Sequence, residues 1–228
     1  HQPDSADLYY RIGQTYAGDG QLEEAIASYR QALSHDPHFK PAYLALGKAY
    51  LLRRDFRAAE KLYQRALTLW PQDPELYHQR GILAYEKGEQ DKAITFYEKA
   101  IARQPDFALA YHNLGVAYHS IGKFDKAIAA YQKALTLMPT SAQTYLALGN
   151  LYVEREANTE AIAAYQKALQ LDPTLIDVYK RLGALFFQQR RYREALEVFQ
   201  AYLQQAPQAP DGARIRELVA VMREIADR

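Results

Sequence analysis

Residues 108–141 read ALAYHNLGVAYHSIGKFDKAIAAYQKALTLMPTS, and this stretch decides the fold. Tyr111, Leu114, Gly115 and Tyr118 follow i, i+3, i+4, i+7, one stripe of a helix. Ala127, Tyr131 and Ala134 follow i, i+4, i+7 on a second helix. Gly122 between them predicts a helix terminator, and Pro139 closes the second helix. The stretch therefore predicts a short antiparallel helix pair. Gly115 and Ala127 are small so that two helix backbones can approach, and the tyrosines fill the gaps between helices.

The same residues recur outward in both directions. Glycine falls at Gly13, Gly47, Gly81, Gly115, Gly149 and Gly183, each 34 residues after the last. Alanine keeps that step from Ala25 to Ala195, proline from Pro37 to Pro207, and tyrosine from Tyr9 to Tyr179. No insertion breaks the register between residues 6 and 209. Most of the 19 tyrosines sit on three such ladders, which makes them packing residues and not a tyrosine-rich binding surface. One helix pair cannot bury its own apolar stripe, whereas stacked neighbours can. Six tandem units follow: 6–39, 40–73, 74–107, 108–141, 142–175 and 176–209. Residues 1–5 read as a leader. After Pro210, Ile215, Leu218, Met222 and Ile225 follow helical spacing, and Asp211 is placed to cap the start. Residues 210–228 are thus expected to form a helix covering the open apolar end of the stack.

The period and the residues Tyr111, Leu114, Gly115, Tyr118, Ala127, Tyr131, Ala134 and Pro139 resemble the tetratricopeptide repeat family over residues 6–209. The resemblance implies an all-α fold, a right-handed α-solenoid superhelix of helix-turn-helix repeats. It also implies that the first helices line a concave groove that binds peptides or assembles protein complexes. Some positions depart from the pattern. Arg80 stands where a leucine-like residue is expected, Ala84 where an aromatic is, and Tyr202 where alanine is. The inter-helix glycine is kept at Gly20, Gly88 and Gly122, but Arg54, Glu156 and Arg190 replace it elsewhere.

Composition narrows the function. Lys plus Arg is 28 and Asp plus Glu is 27 in 228 residues, a net charge of +1 without the basic excess of a nucleic-acid binder. There is no cysteine, which removes disulfides, thiolate catalysis and cysteine-built zinc sites. No apolar run approaches the ~20 residues of a membrane helix. Neither a phosphate loop, nor a nucleophile elbow, nor a credible triad is present, so no enzyme activity, cofactor or metal is expected. The start at His1-Gln2-Pro3, without methionine, suggests a processed form or a piece of something longer. The composition and ungapped units look bacterial. A cytoplasmic location is expected, or a periplasmic or lumenal one if the chain is processed.

The candidate binding surface follows from the helical wheel. If unit positions 4, 7, 8 and 11 face the core, positions 2, 5, 9 and 12 form a stripe on the far side. That stripe is unusually apolar: Tyr10, Leu44, Leu51, Ile82, Tyr85, Leu109, Val116, Leu146, Val153 and Phe187, decorated by Lys48, His78, His112, His119, Asn150 and Lys180. Exposed apolar surface of this kind marks a partner site. The bland alternative is that positions 9 and 12 pack against neighbouring first helices. Family members that grip chaperone C-termini use a two-carboxylate clamp of lysine, asparagine and arginine, and no three consecutive units supply it. The three histidines could meet on one wall, where groove hydrogen bonding is favoured over a metal site. Arg80 reads as a snorkelled arginine paired with an acid, or as a fork for a partner carboxylate. Trp70 reads as a packed loop residue or as an interface anchor. Charged pairs such as Glu23-Glu24 and Asp125-Lys126 belong to a solvated convex face. The expected partner is a protein or peptide. Self-association, or a role as the recognition arm of a larger enzyme such as a glycosyltransferase, are the alternatives.

Overall fold

A computed structural model describes residues 3–226, with side chains from 5 to 225. The first helices of the repeats are α1 (Pro3–Gly18), α3 (Lys40–Leu52), α5 (Pro74–Glu86), α7 (Ala108–Ser120), α9 (Ala142–Glu154) and α11 (Ile176–Gln188). The second helices are α2 (Leu22–His35), α4 (Phe56–Leu69), α6 (Gln90–Arg103), α8 (Phe124–Leu137), α10 (Asn158–Leu171) and α12 (Tyr192–Gln205), followed by α13 (Gly212–Ala226). No strand occurs among the described residues. Helix α1 begins at Pro3, so residues 3–5 of the expected leader are its first turn. His1 and Gln2, and the last two residues of the expected cap, lie outside the described residues.

The helices form two compact units that part between Lys123 and Phe124. In the first, α1 to α7 stack in series, and α1, α3, α5 and α7 also touch in turn. In the second, α8 to α13 stack in series. Tyr43, Leu46, Tyr63 and Leu76 are buried at the centre of the first unit, and Tyr165, Val178, Phe186 and Met222 at that of the second.

The ladder glycines serve a different contact from the one expected. A Cβ on Gly47 would lie 2.2 Å from the Tyr63 ring, and one on Gly81 2.4 Å from Tyr97. Gly149 meets Tyr165 and Gly183 meets Phe199 in the same way, with distances of 2.6 and 2.7 Å. The space that glycine yields is filled by an aromatic ring from the second helix, not by a backbone. The ladder alanines Ala25, Ala59, Ala93, Ala161 and Ala195 are fully buried.

Burial on the first helices is also wider than one stripe. Positions 3 and 10 join positions 4, 7, 8 and 11: Ala42, Leu76, Ala110, Thr144 and Val178 are buried, as are Ala49, Leu83, Ala117, Leu151 and Leu185. A helix packed between two neighbours buries more than one side. Ion pairs add straps between repeats, Arg53 to Glu23 at 2.9 Å, Lys87 to Glu60 at 3.2 Å, and Arg155 to Asp125. Glu23 and Asp125 are therefore not merely solvated, although water screens such exposed pairs.

The terminal helix buries Val219 and Met222 and half-buries Ile215 and Leu218, whereas Ile225 is exposed and does not join that stripe. The Asp211 carboxylate, at the start of α13, has partners outside that helix. It accepts from the Tyr202 hydroxyl and from Lys180 Nζ at 3.1 Å. Tyr202, the sixth-repeat departure, thus ties the end of α12 to the chain entering α13.

Each turn between paired helices uses one left-handed residue. Gly20, Gly88 and Gly122 have φ of +74°, +78° and +72°, and Arg54, Glu156 and Arg190 hold +60°, +58° and +58° at the same register position. The following N–H returns to a carbonyl near the helix end, as from Asp55 to Tyr50 O at 2.9 Å and from Ala157 to Tyr152 O at 2.9 Å. A Cβ in this conformation costs about 1–2 kcal/mol. Glu156→Gly should therefore raise the free energy of unfolding by about 1 kcal/mol in urea titrations, and Gly122→Ala should lower it by a similar amount. An unchanged midpoint for both would contradict this assignment.

Candidate functional site

In the first unit, the far side of the first helices holds two clefts. One, of about 680 Å³, is lined by Tyr10, Leu44, Lys48, Leu52 and Glu75 among others. The next, of about 940 Å³, is lined by Lys48, Leu51, Leu52, His78, Ile82, Phe107 and Leu109 among others. Lys48, Leu52 and Glu75 belong to both, so the clefts adjoin. Of the expected groove residues, Tyr10, Leu44, Lys48, Leu51, His78, Ile82 and Leu109 are brought together here. Tyr85, His112, Val116 and His119 are half-buried and lie outside the lining of both clefts. Tyr10, Leu44 and Leu51 also pack on the core, with Tyr10 edge-on to Phe39 at 5.5 Å. Leu109 is 52% exposed and Leu52 is 76% exposed.

Leu52 was missed by the helical wheel because it occupies position 13, outside the predicted stripe. A signal was available. The other residues at that position are Gly18, Glu86, Ser120, Glu154 and Gln188, so Leu52 alone is a large apolar side chain there. Phe107 and Gln79 were missed as well, since they line the larger cleft from the end of one repeat and from position 6 of another.

His78 is not a free groove donor. It is 5% exposed, its ring lies 4.9 Å from that of Phe107, and Asn113 Nδ2 donates to its Nε2 at 2.8 Å. Burial, helped by the charge of Lys48 and by His112, pushes its pKa down to about 4. The imidazole is therefore neutral, in the tautomer with hydrogen on Nδ1. Burial also lowers the pKa of His112. Among the described residues, no group of three or more His, Asp or Glu side chains is placed to hold a metal.

The remaining residues singled out above take structural positions. Arg80 lays its guanidinium over the Phe96 ring, 4.3 Å from the centroid, instead of pairing with an acid. Trp70 packs edge-on against Tyr43 at 5.5 Å, as a packed loop residue does.

In the second unit the expected groove residues are dispersed. Leu146 packs on the core, and Phe187 lies edge-on to Tyr192 at 5.6 Å. Lys180 pairs with Asp177 at 3.2 Å and with Asp211 at 3.1 Å. Asn150 Oδ1 accepts from Tyr165 and Arg181 at 2.8 and 3.0 Å. Val153 lines a pocket of about 570 Å³.

Comparison with known proteins agrees with this architecture. Models described as tetratricopeptide repeat match residues 10–74, 108–141 and 148–220, and one described as TPR repeat matches 83–122. MamA is 30% identical, with a match covering 71% of this chain and 95% of that one at a TM-score of 0.60. The chain belongs to the tetratricopeptide repeat family. Two solved structures under 25% identical share the fold. The APC/C hetero-tetramer Cut9–Hcn1 is 19% identical at a TM-score of 0.76, with 96% of this chain and 44% of that chain covered. The chain thus spans less than half of that protein's length. YrrB, a TPR protein with an unusual peptide-binding site, is 20% identical at a TM-score of 0.56, covering 76% of this chain and 89% of that one. No curated protein matches the sequence. No helix among the described residues is long and apolar enough to cross a membrane.

The buried histidine makes stability pH-dependent. An unfolded histidine takes a proton near pH 6.5, whereas folded His78 resists until about pH 4. Its contribution is complete above pH 6.5 and is lost progressively between pH 6.5 and 4, by about 3 kcal/mol at most. Urea midpoints measured across that window should fall with pH, and fall less in His78→Gln. Parallel curves for the two proteins would contradict the assignment.

Proposed function

We propose that this chain is an adaptor whose first unit holds a segment of a partner protein along the adjoining clefts, for complex assembly. The observation that carries the reading is the pair of leucines. Leu52 stands 76% exposed where two clefts meet, and Leu109 stands 52% exposed in the larger cleft. Uncovered leucines at the mouth of an apolar cleft mark a surface that a partner covers.

The chemistry of the lining defines the ligand. Apolar walls accept apolar anchors from an extended strand or one face of a helix. Lys48 and Arg54 are balanced by Glu75 and Glu86, so no single charge sign dominates the larger cleft. A few buried anchors then carry most of the affinity, and rim charges tune it. With the histidine already committed to Asn113, register along the clefts falls to the amide of Gln104 and to the rim charges. Membership of a family of binding scaffolds supports a binding role without catalysis. The peptide-binding site of YrrB supports the choice of ligand class.

Affinity capture from the source cell with the intact chain and with the Leu52→Glu plus Leu109→Glu double variant tests this reading. The intact chain should recover a defined partner that the double variant loses at least tenfold, with little weakening in high salt. Equal recovery by both proteins would contradict it. So would light scattering that shows the intact chain covering its own leucines by self-association.

A further inference from the structure

Position 14, the residue before each left-handed turn, is an acid in the first repeat alone. Arg53, Lys87 and Arg155 stand there in the second, third and fifth repeats and pair with Glu23, Glu60 and Asp125 of the repeat before. Ile121 and Gln189 occupy it in the fourth and sixth. In the first repeat the residue is Asp19, exposed, with no partner for its carboxylate among the described residues. Gly18 and Gly20 flank it, and a Cβ added at either would meet nothing within 4 Å. The chain has two Asp-Gly pairs, Asp19-Gly20 and Asp211-Gly212, and no Asn-Gly pair.

The amide after Asp19 is the least engaged of its kind. In all six turns the N–H of the left-handed residue donates to the carbonyl three residues back. The distance is 2.9 Å at Arg54, Gly88 and Gly122 and 3.0 Å at Glu156 and Arg190, but 3.3 Å at Gly20. Asp211 differs on both counts. One of its carboxylate oxygens accepts from the Tyr202 hydroxyl and the other from Lys180 Nζ at 3.1 Å. The Gly212 N–H donates to Ala209 O at 2.9 Å.

We propose that Asp19 is a site of spontaneous isomerisation to isoaspartate, and that the two donors on Asp211 protect the second Asp-Gly pair. The Gly20 nitrogen attacks Asp19 Cγ. A new N–Cγ bond forms, and the amide proton and the carboxyl OH leave as water, giving a five-membered succinimide. Glycine has no Cβ to obstruct this approach. Water then opens the ring at either carbonyl. Opening at Cγ breaks the new bond and restores aspartate. Opening at the main-chain carbonyl breaks the original peptide bond and leaves the chain running through Cβ. One water is lost and one regained, so no oxidant or other co-reactant is needed. At Asp211 both carboxylate oxygens are held, so Cγ is not free to swing onto the following nitrogen. The product at residue 19 adds a main-chain atom to a turn closed by the 2.8 Å bond from Gln21 N–H to Tyr16 O. Ala17, Gly20 and Leu22 line the cleft of about 680 Å³, so the change alters that wall whatever the cleft binds.

The intact chain would be aged for several weeks in water enriched in oxygen-18, folded and in parallel in concentrated urea, and its peptides mapped by mass spectrometry. Ring opening adds one heavy oxygen from solvent, and fragmentation distinguishes the β-linked form. In the folded protein, residue 19 should gain label and isoaspartate several-fold faster than residue 211. In urea the two sites should react at similar rates, since the ties to Asp211 are then absent. Asp19→Glu should abolish the reaction there, because the longer side chain would have to close a less favourable six-membered ring. Tyr202→Phe plus Lys180→Gln should raise the rate at Asp211 while keeping the circular dichroism spectrum. Equal rates at the two sites in the folded protein would overturn the proposal. So would an unreacted Asp19 over the time in which the unfolded chain isomerises.

Discussion

An aromatic ring lying on a glycine holds five of the repeats together. Tyr29, Tyr63, Tyr97, Tyr165 and Phe199 each occupy the volume that a Cβ would claim at Gly13, Gly47, Gly81, Gly149 and Gly183. The contact fixes how closely the second helix approaches the first and at which height along it. Because the pair recurs every 34 residues, the same approach is repeated, and helix pairs stack without an insertion to accommodate. The ring also carries a hydroxyl that must be satisfied or tolerated. Tyr165 gives its proton to Asn150, while the buried Tyr63 hydroxyl has no partner among the described residues, and the last repeat dispenses with the hydroxyl by using Phe199.

Stacking then decides which faces remain for function. In the first unit, α3 and α5 are each covered by their own second helix, by the preceding second helix and by their first-helix neighbours, and one side stays open. In the first unit that open side keeps leucines in water beside adjoining clefts. In the second unit, polar groups occupy two of the equivalent positions: Lys180 is drawn into the Tyr202–Asp211 tie at the terminal helix, and Asn150 accepts from Arg181.

The repeat, the helix pairs and the left-handed turns were all legible in the sequence, because each is set by spacing within one unit. Arg54, Glu156 and Arg190 showed that the turn geometry survives without glycine, since it is imposed by the helices on either side. What spacing within one unit cannot reveal is burial between units. Ala42, Leu76, Ala110, Thr144 and Val178 range over four residue types, yet all are buried. His78 looked like a groove donor because its partners, Phe107 and Asn113, arrive from further along the chain. Ile225 continued a plausible stripe on paper, yet Val219 is the residue that turns inward. Seven of the sixteen expected groove residues share the two clefts of the first unit, and the others lie elsewhere. Leu52 escaped because a wheel drawn for an average repeat hides the one repeat that departs from it.

A double-mutant cycle on Gly47 and Tyr63 tests the ring-on-glycine constraint most directly. Gly47→Ala alone should destabilise the protein by about 1–3 kcal/mol, since the new methyl group overlaps the ring. In a Tyr63→Leu background the same change should cost much less, giving a coupling of at least about 1 kcal/mol between the two sites. Additive losses would contradict the account, because they would show that glycine is not there to admit the ring.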